Sequence, residues 1–126
     1  MIKRTILIIE DEDLNIDLYS IILKQLDMDI IFEKSGTAAF DYILQSPPDL
    51  LLSDIDIKGA INGLDLIKKI RSNEKIKDLK CIAITAYIFP EDKKKILSAG
   101  FDDYIAKPID IKTFPEKIQS YLDKLG

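Results

Sequence analysis

Apolar runs of strand length alternate five times with longer segments of helical period, and this alternation restricts the fold more than any other feature of the chain. Thr5–Ile9 is continuously apolar, as expected for a strand covered on both faces. Asp29–Glu33, Asp49–Ser53, Cys81–Ile84 and the short Tyr104–Ala106 supply four more strands. After the first strand, Leu14, Leu18, Ile21, Ile22 and Leu26 recur at helical spacing. Ser35 is placed to cap a second helix carrying Ala38, Ala39, Tyr42 and Ile43, which Pro47-Pro48 ends. Leu64, Ile67, Lys68 and Ile70 mark a third, and Pro90 to Ala99 a fourth, stopped by Gly100. The fifth begins at Thr113, where Thr113-Phe114-Pro115-Glu116 reads as a capping box, and buries Ile118, Tyr121, Leu122 and Leu125. Strands alternating with helices predict an α/β fold around a parallel sheet. Residues 1–126 read as one domain without repeat, linker or low-complexity segment, and with no output domain after the fifth helix.

The missing residue type narrows the chemistry. The chain has no histidine, so it holds no Ser–His or Cys–His nucleophile, no His-ligated metal and no phosphohistidine. Carboxylates, Lys, Thr and Tyr remain, and oxygen donors imply a hard cation such as Mg²⁺. Apolar runs of about five residues fall far short of the roughly 20 that a membrane helix needs, so no membrane insertion is expected. Lys3 and Arg4 precede an apolar stretch that Glu10-Asp11 ends too soon for a signal peptide. The single Cys81 suits a reducing cytoplasm. A net charge of −4 with pI near 4.8 argues against direct nucleic-acid binding.

Ligands of open α/β sheets bind beyond the carboxyl ends of the strands. The first strand ends in Glu10-Asp11, with Glu12 and Asp13 behind; the third in Asp54, the fourth in Thr85 and the fifth in Lys107-Pro108. The second, ending in Glu33-Lys34-Ser35, reads as the sheet edge. If the other four strands are neighbours, one crevice receives three carboxylates, a hydroxyl and an ammonium. Carboxylates this close raise one another's pKa unless positive charge compensates. Mg²⁺ and the lysine would do so, an assembly suited to a carboxylate nucleophile that accepts a phosphoryl group. Each residue alone has a plainer reading. Glu10 to Asp13 suit a solvated loop or helix cap, Asp54 an Asx-turn, Thr85 a structural hydroxyl and Lys107 the surface. Their joint placement at four strand ends favours the site.

The segments Ile-Leu-Ile-Ile-Glu10-Asp11-Glu12, Leu-Leu-Leu-Ser-Asp54-Ile-Asp56, Ala-Ile-Thr85-Ala86 and Gly100-Phe-Asp-Asp-Tyr104-Ile-Ala-Lys107-Pro108 resemble the receiver domain of two-component response regulators over essentially the whole chain. The resemblance implies a three-layer, flavodoxin-like (βα)5 fold with strand order 2-1-3-4-5. It implies Asp54 as phosphoacceptor and Mg²⁺ held by Glu10, Asp11, Asp54 and the backbone carbonyl of Asp56, Asp11 directly and Glu10 through water. Thr85, followed by Ala86, matches the switch hydroxyl, Lys107 the phosphate-pairing ammonium and Tyr104 the aromatic that changes rotamer. A plainer reading of Tyr104 is a half-buried strand tyrosine. A cis peptide is implied between Lys107 and Pro108.

This chain departs from the family pattern in one place. The family usually carries a Pro four residues after the acceptor and a Gly eight after it; here position 58 is Lys and Gly63 lies nine residues on, so Lys58–Asn62 holds one extra residue. Asp56 adds a carboxylate two residues past the acceptor, and Tyr87 lies two past Thr85. Charge from the first and shielding by the second would slow an attacking water and lengthen the phosphoryl lifetime.

The resemblance also implies a function. A histidine kinase or histidine phosphotransfer protein would donate the phosphoryl group, docking near the first helix, where Leu14, Ile21 and Ile22 are either contact or core residues. The face made by the fourth helix, fifth strand and fifth helix would then switch to bind a downstream protein, and the same face would support a homodimer. No enzyme activity is expected beyond self-phosphorylation from small donors and slow self-dephosphorylation. Lys93-Lys94-Lys95 reads as a solvated helix face, or as a surface for an acidic partner. Three rivals stand against this reading. A haloacid-dehalogenase-type phosphohydrolase fits Asp54-Ile55-Asp56 but places that motif on its first strand. A flavodoxin-type carrier needs Ser, Thr or Gly where this chain has acids. A phosphorylation-independent pseudo-receiver interaction module is the third.

Overall fold

All strand pairings are parallel, and the five strands lie side by side in the order β2-β1-β3-β4-β5. The computed structural model describes residues 3–57, 59–86 and 89–125. In chain order the elements are β1 (Arg4–Ile9), α1 (Asp13–Ile22), β2 (Met28–Glu33), α2 (Gly36–Gln45), β3 (Leu50–Asp54), α3 (Gly63–Arg71), β4 (Lys80–Thr85), α4 (Pro90–Ala99), β5 (Asp103–Ala106) and α5 (Thr113–Asp123). Parallel neighbours cannot be joined by a tight turn, so each connection crosses over through a helix. This is the flavodoxin-like α/β architecture and strand order expected above.

Side chains alternate across a strand, and the central strands are apolar on both faces. Ile6, Ile8, Leu50, Leu52, Ile82, Ile84 and Ile105 meet α1 and α5 through Tyr19, Ile22, Phe114, Ile118 and Leu122. Leu7, Ile9, Leu51, Cys81 and Ala83 meet α2, α3 and α4 through Ala39, Ile43, Leu66, Ile67 and Ile96. Each fully buried Leu or Ile contributes about 1.5–3 kcal/mol. The inner strands therefore anchor both layers, and their carboxyl ends are held rigidly.

Several local expectations are corrected. In α1 the inward positions belong to Tyr19 and Ile22, while Leu14, Leu18 and Ile21 are exposed. The reason is the Tyr19 ring, which packs 5.7 Å from Phe114 of α5 and fixes the helix rotation. Leu14 and Ile21 thus remain available for contact, and Ile22 does not. The helix α5 does start at Thr113, but Thr113 forms no capping box. Asp110 Oδ1 instead accepts from the N–H groups of Lys112 and Thr113 at 2.8 and 3.2 Å. The capping box that does form is at α3, where Asn62 and Asp65 cap each other's backbone reciprocally. The cap predicted at Ser35 is present, its hydroxyl accepting from Ala38 N–H at 3.1 Å. Lys58 lies outside the described residues. Past it, Gly59 has φ +119°, and Gly63 lies so close to β3 that a Cβ there would meet Ile55 Cα at 2.8 Å. The lengthened loop therefore still delivers a glycine where α3 approaches the end of β3.

Candidate functional site

The carboxyl ends of β1, β3, β4 and β5 converge, because β2 takes the edge position beside β1. Register shows which side chains share a side of the sheet. Asp54 pairs with Ile84 and follows the alternation of Leu50 and Leu52, so it projects toward α1 and α5. Glu10 continues the alternation of Ile6 and Ile8, and Lys107 that of Ile105. Thr85 has the opposite parity: Ala83 pairs with Tyr104, and both Thr85 and Tyr104 project to the α3–α4 side. The strand ends thus divide into a charged side and a hydroxyl–aromatic side.

On the charged side, Asp54 is only 6% exposed and Glu10 1%. Lys107 Nζ donates to Asp54 Oδ2, and the Asp56 N–H donates to Asp54 Oδ1 at 2.9 Å. Asp54 therefore has both carboxylate oxygens engaged, a charge-assisted arrangement of the strong kind. Glu10 Oε2 accepts from Glu12 N–H at 3.3 Å, while Glu10 Oε1 is buried without a hydrogen-bond partner among the described residues. Burial foremost, with the Asp54 charge and the Asp11 carboxyl, raises the Glu10 pKa against the opposing pull of Glu12 N–H and Lys107. For Lys107, burial works against the ammonium. The hydrogen bond and charge of Asp54, with the charges of Glu10 and Asp56, outweigh it and raise the pKa. Asp11 is half-buried and Asp56 exposed.

Thr85 is buried, and its carbonyl accepts from Lys107 N–H at 2.8 Å, which ties the ends of β4 and β5 together. Ala86 is exposed, and Tyr87 lies outside the described residues. The peptide between Lys107 and Pro108 is cis. Tyr104 is half-buried, with Lys93 Nζ 5.4 Å from its ring centroid. Lys93 is thus not part of a uniformly solvated lysine face, although Lys94 and Lys95 are exposed.

Among the described residues no group of three or more Cys, Asp or Glu side chains is arranged to hold a metal. The donor set on this side of the sheet is instead the Glu10 and Asp54 carboxylates. Its all-oxygen chemistry, and the buried Glu10 oxygen left without a partner, fit a hard divalent cation.

Tyr19 is a neighbour of this site that the spacing of apolar residues did not single out. Its hydroxyl is raised in pKa by burial and by the charges of Glu10 and Asp54, and its ring lines a groove of about 470 Å³ with Leu18, Lys107 and Pro108. The signal was present: Tyr19, Ile22, Leu23 and Leu26 also fit one helical stripe.

The chain matches the response regulator receiver domain over residues 6–119. It belongs to the receiver domain family. The polar-differentiation response regulator DivK of Brucella ovis is 33% identical over 119 residues, covering 94% of this chain and 96% of that protein. DivK of Brucella anthropi is 31% identical over the same length. Among solved structures, a protein of Chloroflexus aurantiacus assigned as a response regulator superposes with TM-score 0.88 at 27% identity, covering 97% of this chain and 99% of that one. The receiver domain of the Francisella response regulator 1452 gives 0.89 at 19% identity, with 98% and 100% covered, a likeness of fold. This receiver domain is accordingly a signalling component of a two-component system rather than a catalytic enzyme. No described helix is long and apolar enough to cross a membrane.

Proposed function

We propose that Asp54 accepts a phosphoryl group and that the resulting charge switches a protein-binding face. The observation that carries this is the state of the Asp54 carboxylate: buried at the sheet's carboxyl edge, with Lys107 on one oxygen and the Asp56 N–H on the other. A carboxylate oriented from both sides is positioned for in-line attack, since positioning supplies most of the catalysis in phosphoryl transfer. The donor is a phosphohistidine of a histidine kinase or a histidine phosphotransfer protein. One Asp54 oxygen forms the new O–P bond, the donor's N–P bond breaks, and the electron pair leaves with the imidazole. Lys107 is freed by the same step to pair with the transferred oxygens.

Glu10, Asp11, Asp54 and the Asp56 carbonyl would hold Mg²⁺, which when bound supplies a Lewis-acid countercharge for the phosphoryl oxygens. Thr85 and the adjoining Ala86 backbone lie one strand away from Asp54. Drawing Thr85 toward the new anion vacates space on its side of the sheet, which it shares with Tyr104. Movement of Tyr104 then reshapes α4, β5 and α5, the face offered to a downstream protein or to a second copy of the chain. Such a modification biases arrangements already accessible to the domain. A cytoplasmic setting suits this role and the lone thiol.

Borohydride trapping with peptide mapping tests the acceptor. Reduction of the acyl phosphate should leave its mark at position 54 after incubation with acetyl phosphate and Mg²⁺. A mark at Asp11 or Asp56 instead would refute the assignment.

A further inference from the structure

We propose that Lys93 is a positioning residue that latches α4 to β5 by holding the Tyr104 ring in its resting pose. The inference rests on the Tyr104 switch reading given above. Lys93 Nζ lies 5.4 Å from the Tyr104 ring centroid, within the range where a cation is attracted to a π face. The contact is built into the helix. Lys93 stands one turn before Ile96, and Ile96 is the one buried residue of α4 among the described residues. Positions three apart share a face, so Lys93 lies on the inward stripe, where it is half-buried.

The two ends of α4 are held very differently. At its carboxyl end, Gly100 O accepts from Arg71 Nε at 2.8 Å, and Arg71 also pairs with Asp102 at 3.0 Å. A Cβ at Gly100 would sit 2.9 Å from Arg71 Cγ, so this junction is tightly fitted. At its amino end the N-cap, Phe89, gives no side-chain cap and is exposed. Within the first turn of α4, Lys93 meets Tyr104 of β5. Because Tyr104 shares its side of the sheet with Thr85, the latch lies between the buried hydroxyl and the helix that must move.

A contact present in one arrangement and weakened in the other biases the equilibrium between them. For a partly exposed cation–π pair the bias is roughly two- to fivefold in population. Loss of Lys93 should therefore raise the fraction of unphosphorylated domain in the active arrangement by that factor. Arginine, which also stacks on aromatic faces, should preserve it.

The test uses the whole chain with ¹³C-labelled tyrosine rings, the Tyr104 resonance being assigned through Tyr104→Phe. Spectra are recorded with and without beryllofluoride and Mg²⁺. The expected result is a Tyr104 resonance that beryllofluoride moves in the wild type. In unactivated Lys93→Met that resonance should already be displaced toward the activated position, by a roughly two- to fivefold larger active fraction, and in Lys93→Arg it should return to the wild-type position. A Lys93→Met resonance that stays at the wild-type resting position while beryllofluoride still moves it would overturn the latch alone. A wild-type Tyr104 resonance indifferent to beryllofluoride would overturn the switch reading and the latch with it.

Discussion

Lys107 Nζ meets Asp54 Oδ2 across 53 residues of chain, bridging the ends of β5 and β3 over the strand that separates them. The parallel order places β4 between the two, so the lysine reaches across the end of β4 to find its partner. The ion pair is therefore also a tie across the functional edge of the sheet. It leaves the Asp54 side chain 8% and the Lys107 side chain 29% exposed, intermediate between a surface pair of little worth and a fully buried one.

Removing the lysine should leave a buried carboxylate among Glu10 and Asp11. Lys107→Ala is expected to destabilise by about 1.5–3 kcal/mol at neutral pH, the range for hydrogen bonds to charged groups. In an Asp54→Asn background the same change should cost less than about 1 kcal/mol, because the pair no longer exists. Urea unfolding of the four proteins measures the coupling. Equal costs in both backgrounds would show that Lys107 acts through packing alone.

Thr85 shares its side of the sheet with Tyr104 rather than with Asp54. Thr85→Ala should therefore still gain the phosphoryl group, while the Tyr104 ring resonance no longer responds to it. Mass analysis and tyrosine NMR on one sample check both halves. Loss of phosphorylation itself would contradict the role given to the hydroxyl.

Asp56 is exposed, and its charge adds to the field that raises Lys107. An anion facing the approach of water should slow hydrolysis of the acyl phosphate. Asp56→Asn is expected to shorten the phosphoryl lifetime roughly three- to tenfold, corresponding to about 0.6–1.4 kcal/mol of barrier. Decay of the isolated phosphoprotein, followed by intact mass, gives the rate directly. An unchanged or longer lifetime would remove Asp56 from the account.

Cys81 is fully buried at the start of β4, and its thiol donates to Leu79 O at 3.3 Å. Burial, aided by the Asp102 charge and opposed by Arg71, pushes its pKa up to about 12 from 9.0. The folded state thus holds this proton more tightly than the unfolded chain does. The stability it contributes is fully present below pH 9 and lost as pH rises toward 12. Relative to Cys81→Ala, the wild type should lose up to about 1.4 kcal/mol per pH unit above pH 9. Parallel stability curves from pH 8 to 11 would contradict this, as would rapid reaction of the native thiol at pH 8.

The order and type of all ten elements were legible because strand and helix periods alternate cleanly, and Pro90–Ala99 was recovered to the residue. What sequence spacing could not resolve was competition between overlapping stripes. In α1, Leu14–Leu18–Ile21 and Tyr19–Ile22–Leu23 both fit a helix, and only the contact of Tyr19 with Phe114 decides between them. Caps were likewise ambiguous, since Asp110 outcompetes Thr113 by lying before the turn. The strand-end carboxylates, hydroxyl and ammonium were visible as residues. Their division between two sides of the sheet required the register. The pairing of Lys93 with Tyr104 was hidden in a run of three lysines that composition alone reads as solvated surface.

The central claim is that Asp54 is a Mg²⁺-dependent phosphoacceptor. Intact-mass measurement after incubation with acetyl phosphate, with and without Mg²⁺, on the wild type and Asp54→Asn, tests it most directly. The account predicts a gain of one phosphoryl group only in the wild type and only with Mg²⁺. A folded wild-type protein that gains none, or an Asp54→Asn protein that gains one, would contradict it, the former pointing to an interaction module that works without phosphorylation.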